Sequence, residues 1–204
     1  MLLVMAIFAV VALTTGYVVA PRWWWRQSVL HAPPRALFAN WRIFSRAHGL
    51  RLEEPGMRVE TRMPFMHGRL GDCEIGLAVI PGSGSGFETR LTARGSNTLE
   101  VCLYLEGRNA PSSSAFPPFD TADVAFDSVF RATADNAACA GRLLDETVRG
   151  ALLAVAGYPG IEIKYEKGEI EMTWDGGEGD PEALGAALSA GVALSTWRAA
   201  VGYR

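Results

Sequence analysis

The sequence is poor in the residues that usually mark a catalytic or metal-binding site. It holds three histidines and three cysteines among 204 residues, and Cys73, Cys102 and Cys139 lie far apart with no C-x-x-C pair. This spacing excludes the common zinc-binding patterns and gives no disulfide framework. We therefore expect the cysteines to be small buried residues, and we expect neither a metal ion nor another cofactor.

Lysine is also scarce. Lys164 and Lys167 are the only lysines among 19 basic residues, and 22 acidic residues oppose these. Binding to nucleic acid requires a basic face, so we expect no nucleic-acid partner. The preference for arginine, together with abundant alanine and glycine, is typical of proteins from GC-rich bacterial genomes.

Charge is missing altogether from Leu2 to Ala20. At about 1.5 Å per residue, a helix of this length spans roughly 29 Å, close to the ~30 Å hydrocarbon thickness of a bilayer. Indole rings flanked by arginines are typical of the water–lipid boundary. Such residues follow the apolar run at once: Arg22, Trp23, Trp24, Trp25 and Arg26. The sequence therefore predicts a single-pass membrane anchor over residues 1–26.

A cleaved signal peptide is the alternative interpretation of this segment. It would require a basic n-region and a small-x-small cleavage site, whereas only Met1 precedes the run and bulky Tyr17 lies where cleavage would fall. Arg22, Arg26 and Arg35 follow the span and no basic residue precedes it, so the positive-inside rule places the rest of the chain in the cytoplasm, at the inner membrane. A periplasmic domain stays open, since the flanking charges are few.

A short linker, 27–34, leads to a single predicted domain, 35–204. Its first element is a helix from Arg35 to His48, which Gly49 ends. The apolar residues of this helix recur at helical spacing and are Leu37, Phe38, Trp41, Ile43 and Phe44. Its arginines are expected to be solvated, with contact to anionic lipid headgroups as the alternative.

Alternating apolar residues then predict antiparallel strands. A strand is indicated near 57–63, and sheet continues through His67 to Ile80, Phe87 to Arg94 and Leu99 to Glu106. In the last of these, Leu99, Val101, Leu103 and Leu105 alternate with Glu100, Cys102, Tyr104 and Glu106. We expect a meander of neighbouring strands with one solvated face.

The second half begins with a loop, Gly107 to Pro118, and continues with a helix from Asn136 to about Ala156 that Thr133 or Asp135 would cap. A hairpin follows, with Ile161, Ile163, Tyr165, Ile170, Met172 and Trp174 on its buried face. Asp180-Pro181-Glu182 begins the last helix. The fold class predicted is α+β, with an N-terminal transmembrane helix, a mainly antiparallel sheet and about three packed helices.

The last ninety or so residues carry a loose set of aromatic, acidic and paired leucine positions. The set comprises Phe119-Asp120, Phe126-Asp127, Phe130, Asp135, Leu143-Leu144, Glu146 and Arg149-Gly150-Ala151-Leu152. On these residues the chain resembles uncharacterised bacterial membrane-anchored proteins with one or more N-terminal spans. The resemblance implies a mixed α+β domain and carries over no catalytic residue.

Three groups of residues are candidates for chemistry. Pro81 to Gly86 (PGSGSG) follows a strand, but strand rather than helix comes next, so a hairpin turn is favoured over a phosphate loop. His67 and Cys73 would lie ~20 Å apart on one extended strand, unless Gly68 or Gly71 folds the segment and brings a thiol–imidazole pair together. Asp120, Asp123 and Asp127 lack the calcium-loop pattern and are expected to cap turns.

These observations favour a non-enzymatic, membrane-tethered domain that binds another protein or assembles a membrane complex. The alternative is a membrane-anchored hydrolase that uses His67 and Cys73. Acidic residues of the hairpin, Glu162, Glu169 and Glu171, are the candidate partner-binding face, since they share its outward side. The alternative is that these acids only keep an exposed hairpin soluble.

Overall fold

The computed structural model describes residues 34–53, 63–82, 86–97 and 99–198. No helix within these ranges combines the length and apolarity needed to cross a bilayer. The predicted anchor and its boundary residues lie outside the described residues. The strand predicted near 57–63 also lies outside them, except for Met63.

Within the described ranges, nine strands form one sheet in which every neighbouring pair is antiparallel. The strands are β1 (Arg51–Glu53), β2 (Phe65–Leu70), β3 (Cys73–Pro81), β4 (Phe87–Arg94), β5 (Cys102–Gly107), β6 (Pro118–Phe119), β7 (Phe130–Ala134), β8 (Glu162–Glu166) and β9 (Glu169–Asp175). Their spatial order is β1-β2-β3-β4-β9-β8-β5-β7-β6. The helices are α1 (Pro34–His48), α2 (Val124–Val129), α3 (Ala137–Leu143), α4 (Glu146–Leu153) and α5 (Pro181–Ser195).

One face of this sheet forms the hydrophobic core. Successive side chains of a strand point to opposite faces, and the register aligns the apolar positions of neighbouring strands, as in Leu77 opposite Leu91 and Leu91 opposite Met172. All five helices pack against the same buried cluster, to which they contribute Trp41, Phe44, Phe126, Leu143, Leu152 and Leu188, among others. The α+β class with a large antiparallel sheet is thus confirmed.

Helix α1 is fixed to the start of α5 by polar contacts as well as by apolar packing. The indole Nε1 of Trp41 donates a hydrogen bond to the carbonyl of Glu178 at 2.7 Å, and Asn40 Nδ2 donates to the carbonyl of Gly179 at 2.8 Å. The predicted bounds of α1 and its packing through Trp41 and Phe44 are confirmed. Ile43 is an exception, because its side chain is 64% exposed rather than packed.

The predicted long helix 136–156 is wrong. The structure has two helices, α3 and α4, interrupted at Leu144, where Asp145 caps α4 by accepting a hydrogen bond from Val148 N. The cap of α3 is Asn136, and not Thr133 or Asp135. Thr133 belongs to strand β7, which the sequence did not predict because it is built from small residues such as Ala132 and Ala134.

The predicted antiparallel pairing of the strands that form β3 and β4 is confirmed, whereas β1 was not predicted and the meander is wrong beyond β4. Strand β5 does not pair with β4, because the hairpin of β8 and β9 lies between the two. The sheet expected from His67 to Ile80 is also divided: Gly71 and Asp72 form a turn, with Gly71 at φ 58°, so that Leu70 pairs with Cys73. A left-handed φ of this kind favours glycine.

The β8–β9 hairpin follows its prediction closely. Lys167 and Gly168 connect the strands with φ angles of 49° and 85°, the pair of positive values typical of a tight two-residue hairpin turn. Trp174 is 1% exposed, and the other five apolar residues of the hairpin face are buried with it. The predicted register of this hairpin is confirmed, as is the start of α5 at Pro181 with Asp180 as its cap.

Candidate functional site

Among the described residues, one face of the sheet carries no helix and presents polar and charged side chains. We call it the open face. It presents the strand positions that alternate with the core, and acids outnumber bases there: Glu74, Glu88, Glu106, Glu162, Glu166, Glu169, Glu171 and Asp175 against Arg69, Arg90, Arg94, Arg131 and Lys164. A large solvated sheet face of mixed but net acidic charge is suited to contacts with another macromolecule.

A shallow depression of about 500 Å³ lies at the middle of the open face. Gly76 forms part of it, and the surrounding side chains include Phe65, His67, Thr92, Tyr104, Lys164 and Glu171. Phe65 is 39% exposed and stacks on the His67 ring with centroids 5.4 Å apart. The depression thus offers one aromatic wall and one charged wall to a bound group.

His67 and Cys73 are not brought together. His67 lies on the open face, where its Nε2 is 3.1 Å from Glu53 Oε1, whereas Cys73 lies on the core face with its Sγ 2.9 Å from Ser195 Oγ. Burial raises the pKa of the Cys73 thiol, which disfavours the thiolate that nucleophilic catalysis needs. The turn at Gly71 does fold the segment, but it leaves the two side chains on opposite sides of the sheet.

Glu162, Glu169 and Glu171 do share the open face, as the hairpin pattern predicted. They are less isolated than the sequence indicated, because β4 supplies basic partners: Arg94 pairs with Glu169, and Arg90 Nη1 lies 3.7 Å from Glu171 Oε2. Lys164 Nζ lies 3.8 Å from Glu162 Oε2. These carboxylates are therefore parts of a charge ladder across three strands rather than a uniformly acidic patch.

The segment 108–117, which we call the strap, crosses the end of the open face next to β5 and β7. The Ser113 amide and hydroxyl both donate to Glu106 Oε1, and the Phe116 ring packs on Tyr104 with centroids 5.7 Å apart. Arg131 donates to the backbone carbonyls of Arg108 and Ala110. Under the strap Glu106 is 3% exposed, although the alternation of β5 predicted a solvated side chain.

Of the three aspartates Asp120, Asp123 and Asp127, the last two have hydrogen bonds that give them a structural role. Asp123 caps α2 through Phe126 N and accepts a hydrogen bond from Arg149 Nε at 2.9 Å. Asp127 accepts bonds from the amide and the hydroxyl of Thr121. Nowhere in the described ranges do three or more His, Cys, Asp or Glu side chains form a group that could hold a metal ion.

The glycine-rich segment joins two antiparallel strands. Pro81 pairs with Phe87, and the Gly82 amide donates to the Gly86 carbonyl at 3.0 Å. Since β4 follows, the hairpin interpretation is confirmed, and no helix N-terminus is available there for a phosphate.

The fold and the open face define a class of protein: an α+β domain with a nine-stranded antiparallel sheet, helices on one side and a solvated face on the other. A known structure with a similar fold is the crystal structure of the mycobacterial trehalose monomycolate transport factor A, TtfA. The two superpose with a TM-score of 0.57 over 79% of this chain and 93% of that chain, at 10% sequence identity. No protein-family model and no curated protein matches the sequence.

Proposed function

We propose that this protein is a non-enzymatic, single-pass protein of a bacterial inner membrane whose cytoplasmic domain binds a partner protein through the open face. The observation that carries the proposal is the one-sided covering of the sheet. Among the described residues, five helices cover the core face, whereas the strap contacts the opposite face at one end. The N-terminal run and its tryptophan–arginine boundary support the membrane tether.

The charges of the open face favour a partner with a basic surface. Acidic side chains exceed basic ones on this face, and those of Glu162, Glu169 and Glu171 are 42%, 54% and 37% exposed. Such a surface attracts a basic partner over distances comparable to the ~8 Å Debye length at physiological salt, and repels anionic lipid. The open face would therefore point away from the bilayer.

A membrane-anchored hydrolase is the alternative function. Its support was a thiol–imidazole pair, and the positions of His67 and Cys73 on opposite faces remove that support. The similar structure, TtfA, is named for the transport of trehalose monomycolate. At 10% identity the similarity concerns the fold alone, so this function is not transferred to the present chain.

Membrane fractionation tests the tether. The full-length protein should stay in the membrane fraction after washing with high salt or carbonate, because burial of Leu2–Ala20 is hydrophobic and is not screened by salt. Deleting residues 1–26 should release the domain. A mature N-terminus beyond residue 20 would contradict the tether, and a periplasmic signal in a reporter fusion at the C-terminus would contradict the cytoplasmic location.

Charge reversal tests the binding face. Glu162, Glu169 and Glu171 changed together to Lys should remove salt-sensitive partners from a purification in mild detergent. The control reverses three exposed acids of the same chain that lie outside the strands of this face: Asp72, Glu146 and Glu182. An unchanged set of partners from a folded triple variant would exclude the open face, and equal losses from both variants would exclude a specific surface.

A further inference from the structure

Two buried polar atoms on the paired strands β5 and β7 have no hydrogen-bond partner among the described residues. Glu106 Oε2 and Thr133 Oγ1 are both unpaired, and their residues are 3% and 2% exposed. Leaving such a group unpaired is unfavourable, and more so for a charged group. Unpaired buried groups are therefore rare in folded proteins and call for a physical explanation.

The register places these two side chains together on the open face. Tyr104 pairs with Thr133 and Glu106 pairs with Arg131 across β5 and β7, so Glu106 and Thr133 are diagonal neighbours. Arg131 lies opposite Glu106, and its guanidinium donates to the carbonyls of Arg108 and Ala110 in the strap. On the other side of β5, Glu162 is the register partner of Glu106 and is itself paired with Lys164.

The two unpaired acceptor atoms, Glu106 Oε2 and Thr133 Oγ1, suit a compact cation. One carboxylate oxygen and one hydroxyl offer acceptors from the adjacent strands β5 and β7. An ammonium group has three donors on a narrow flexible stem and could reach both atoms. An anion in contact with the free carboxylate oxygen would be repelled by Glu106.

We propose that Glu106 and Thr133 form a binding subsite for a lysine ammonium group of the partner protein, and that the strap opens to admit it. This subsite rests on the proposed function and deepens it by naming the group that the partner inserts. The strap has no helix or strand of its own. Besides the contacts described above, its Pro117 carbonyl accepts a hydrogen bond from the Ala134 amide, and its Arg108 amide donates to the Val129 carbonyl. The pairing of Glu106 Oε2 with an ammonium would offset the loss of the bonds from Ser113.

Hydrogen–deuterium exchange on the full-length protein in mild detergent tests the subsite with a lysine nonapeptide as the probe. The Ser113 amide is protected by its bond to Glu106, so entry of an ammonium group should raise the exchange of residues 110–116 several-fold. The same peptide with acetylated side chains has no ammonium groups and should have no effect. Binding that leaves this segment unchanged would reject the subsite, since the peptide would then lie on the surface alone.

Variants separate the subsite from the rest of the face. Glu106→Gln should weaken peptide binding by about tenfold or more and abolish the exchange response, because a charge-assisted hydrogen bond is lost. Glu146→Gln, an exposed position on α4 outside the sheet, is the control and should keep the response. An equal response from Glu106→Gln would overturn the proposal.

Thr133→Val is a second test of the subsite, and its result does not depend on whether the Glu106→Gln variant folds. It replaces an unpaired hydroxyl by a methyl group of the same shape and should weaken peptide binding without lowering stability. Unchanged peptide affinity in this variant would reject the subsite, in favour of ordered water as the partner of both atoms. The subsite and the proposed function can fail separately. If reversal of Glu162, Glu169 and Glu171 removes the partners but the peptide gives no exchange response at Ser113, the subsite is rejected and the proposed function is retained.

Discussion

Asp123 Oδ2 accepts a hydrogen bond from Arg149 Nε at 2.9 Å, which joins the N-terminus of α2 to the middle of α4. The side chains of the two residues are 29% and 20% exposed. The Phe126 amide and the Arg149 guanidinium hold the pKa of Asp123 below its ordinary value. This ion pair links two helices that are separated in the chain by strand β7 and helix α3.

The lowered pKa of Asp123 predicts a dependence of stability on pH. A depressed folded-state pKa stabilises the fold above the unfolded-state value of about 3.9, and this contribution is lost as the pH falls through the folded-state pKa. The difference in unfolding free energy between the native protein and Asp123→Asn should therefore be constant near neutral pH and shrink below about pH 4. Denaturant unfolding over this range measures it. Asp120→Asn, on an exposed neighbour, should show a much smaller difference.

Tyr165 predicts the opposite dependence at high pH. Burial raises the pKa of Tyr165 to about 12, and its hydroxyl donates to the Leu99 carbonyl at 3.0 Å. A raised folded-state pKa gives stability that is fully present below the unfolded value of about 10 and is lost as the pH rises through about 12. The stability difference between the native protein and Tyr165→Phe should accordingly decline from pH 10 upward. A tyrosinate absorbance change at pH 10 from the buried ring, before unfolding, would contradict this.

Truncation of the Trp174 side chain should lower the stability of the domain by a large amount. The side chain is 1% exposed and contacts the Tyr158 ring with centroids 5.5 Å apart. Trp174→Ala should lower the free energy of unfolding by ~3–5 kcal/mol. Glu171→Ala lies on the opposite face and removes only a half-exposed pairing with Arg90, so it should cost less than about 1 kcal/mol. Similar denaturant midpoints for the two variants would mean that the register of β9 is wrong.

Substitution by alanine should change the stability of the domain in opposite directions at two glycines. Gly168 has φ 85°, and a Cβ there would overlap the carbonyl oxygen of Asn97, so Gly168→Ala should destabilise the domain strongly. Gly150 lies in α4 with no atom within 4 Å of a Cβ, so Gly150→Ala should stabilise the domain by up to about 1 kcal/mol. Thermal unfolding of both variants tests the pair. Destabilisation by Gly150→Ala would contradict the open surroundings described at that position.

Elements with a strong local pattern could be predicted from the sequence. The β8–β9 hairpin has strict alternation around a glycine turn, and α5 has the cap, proline and acid that begin a helix. The division between α3 and α4 could not be predicted from periodicity, because Leu143 and Leu144 satisfy a continuous helical pattern. The signal that was available was Asp145 followed by Glu146, a residue pair suited to a new helix N-terminus.

The candidate site was predicted only in part, because its critical features depend on contacts between distant segments. The alternation of β5 placed Glu106 correctly on the open face, but its burial results from the strap that Ser113 attaches. The basic partners of Glu169 and Glu171 come from β4, which is about eighty residues away in the chain. Pairing between β4 and β9 is a tertiary choice that no local pattern encodes.

The insertion of the β8–β9 hairpin between β4 and β5 determines when this sheet can be completed during synthesis. Until residue 175 has left the ribosome, β4 and β5 each expose an unpaired strand edge, and the two halves of the sheet have no strand connecting them. Ribosomes add about 5–20 residues per second, so both edges remain open for several seconds after β5 emerges. Unpaired edges of this kind template aggregation, and non-local pairing makes folding slow. A nascent chain that stops before the hairpin is therefore the form of this protein most in need of a chaperone.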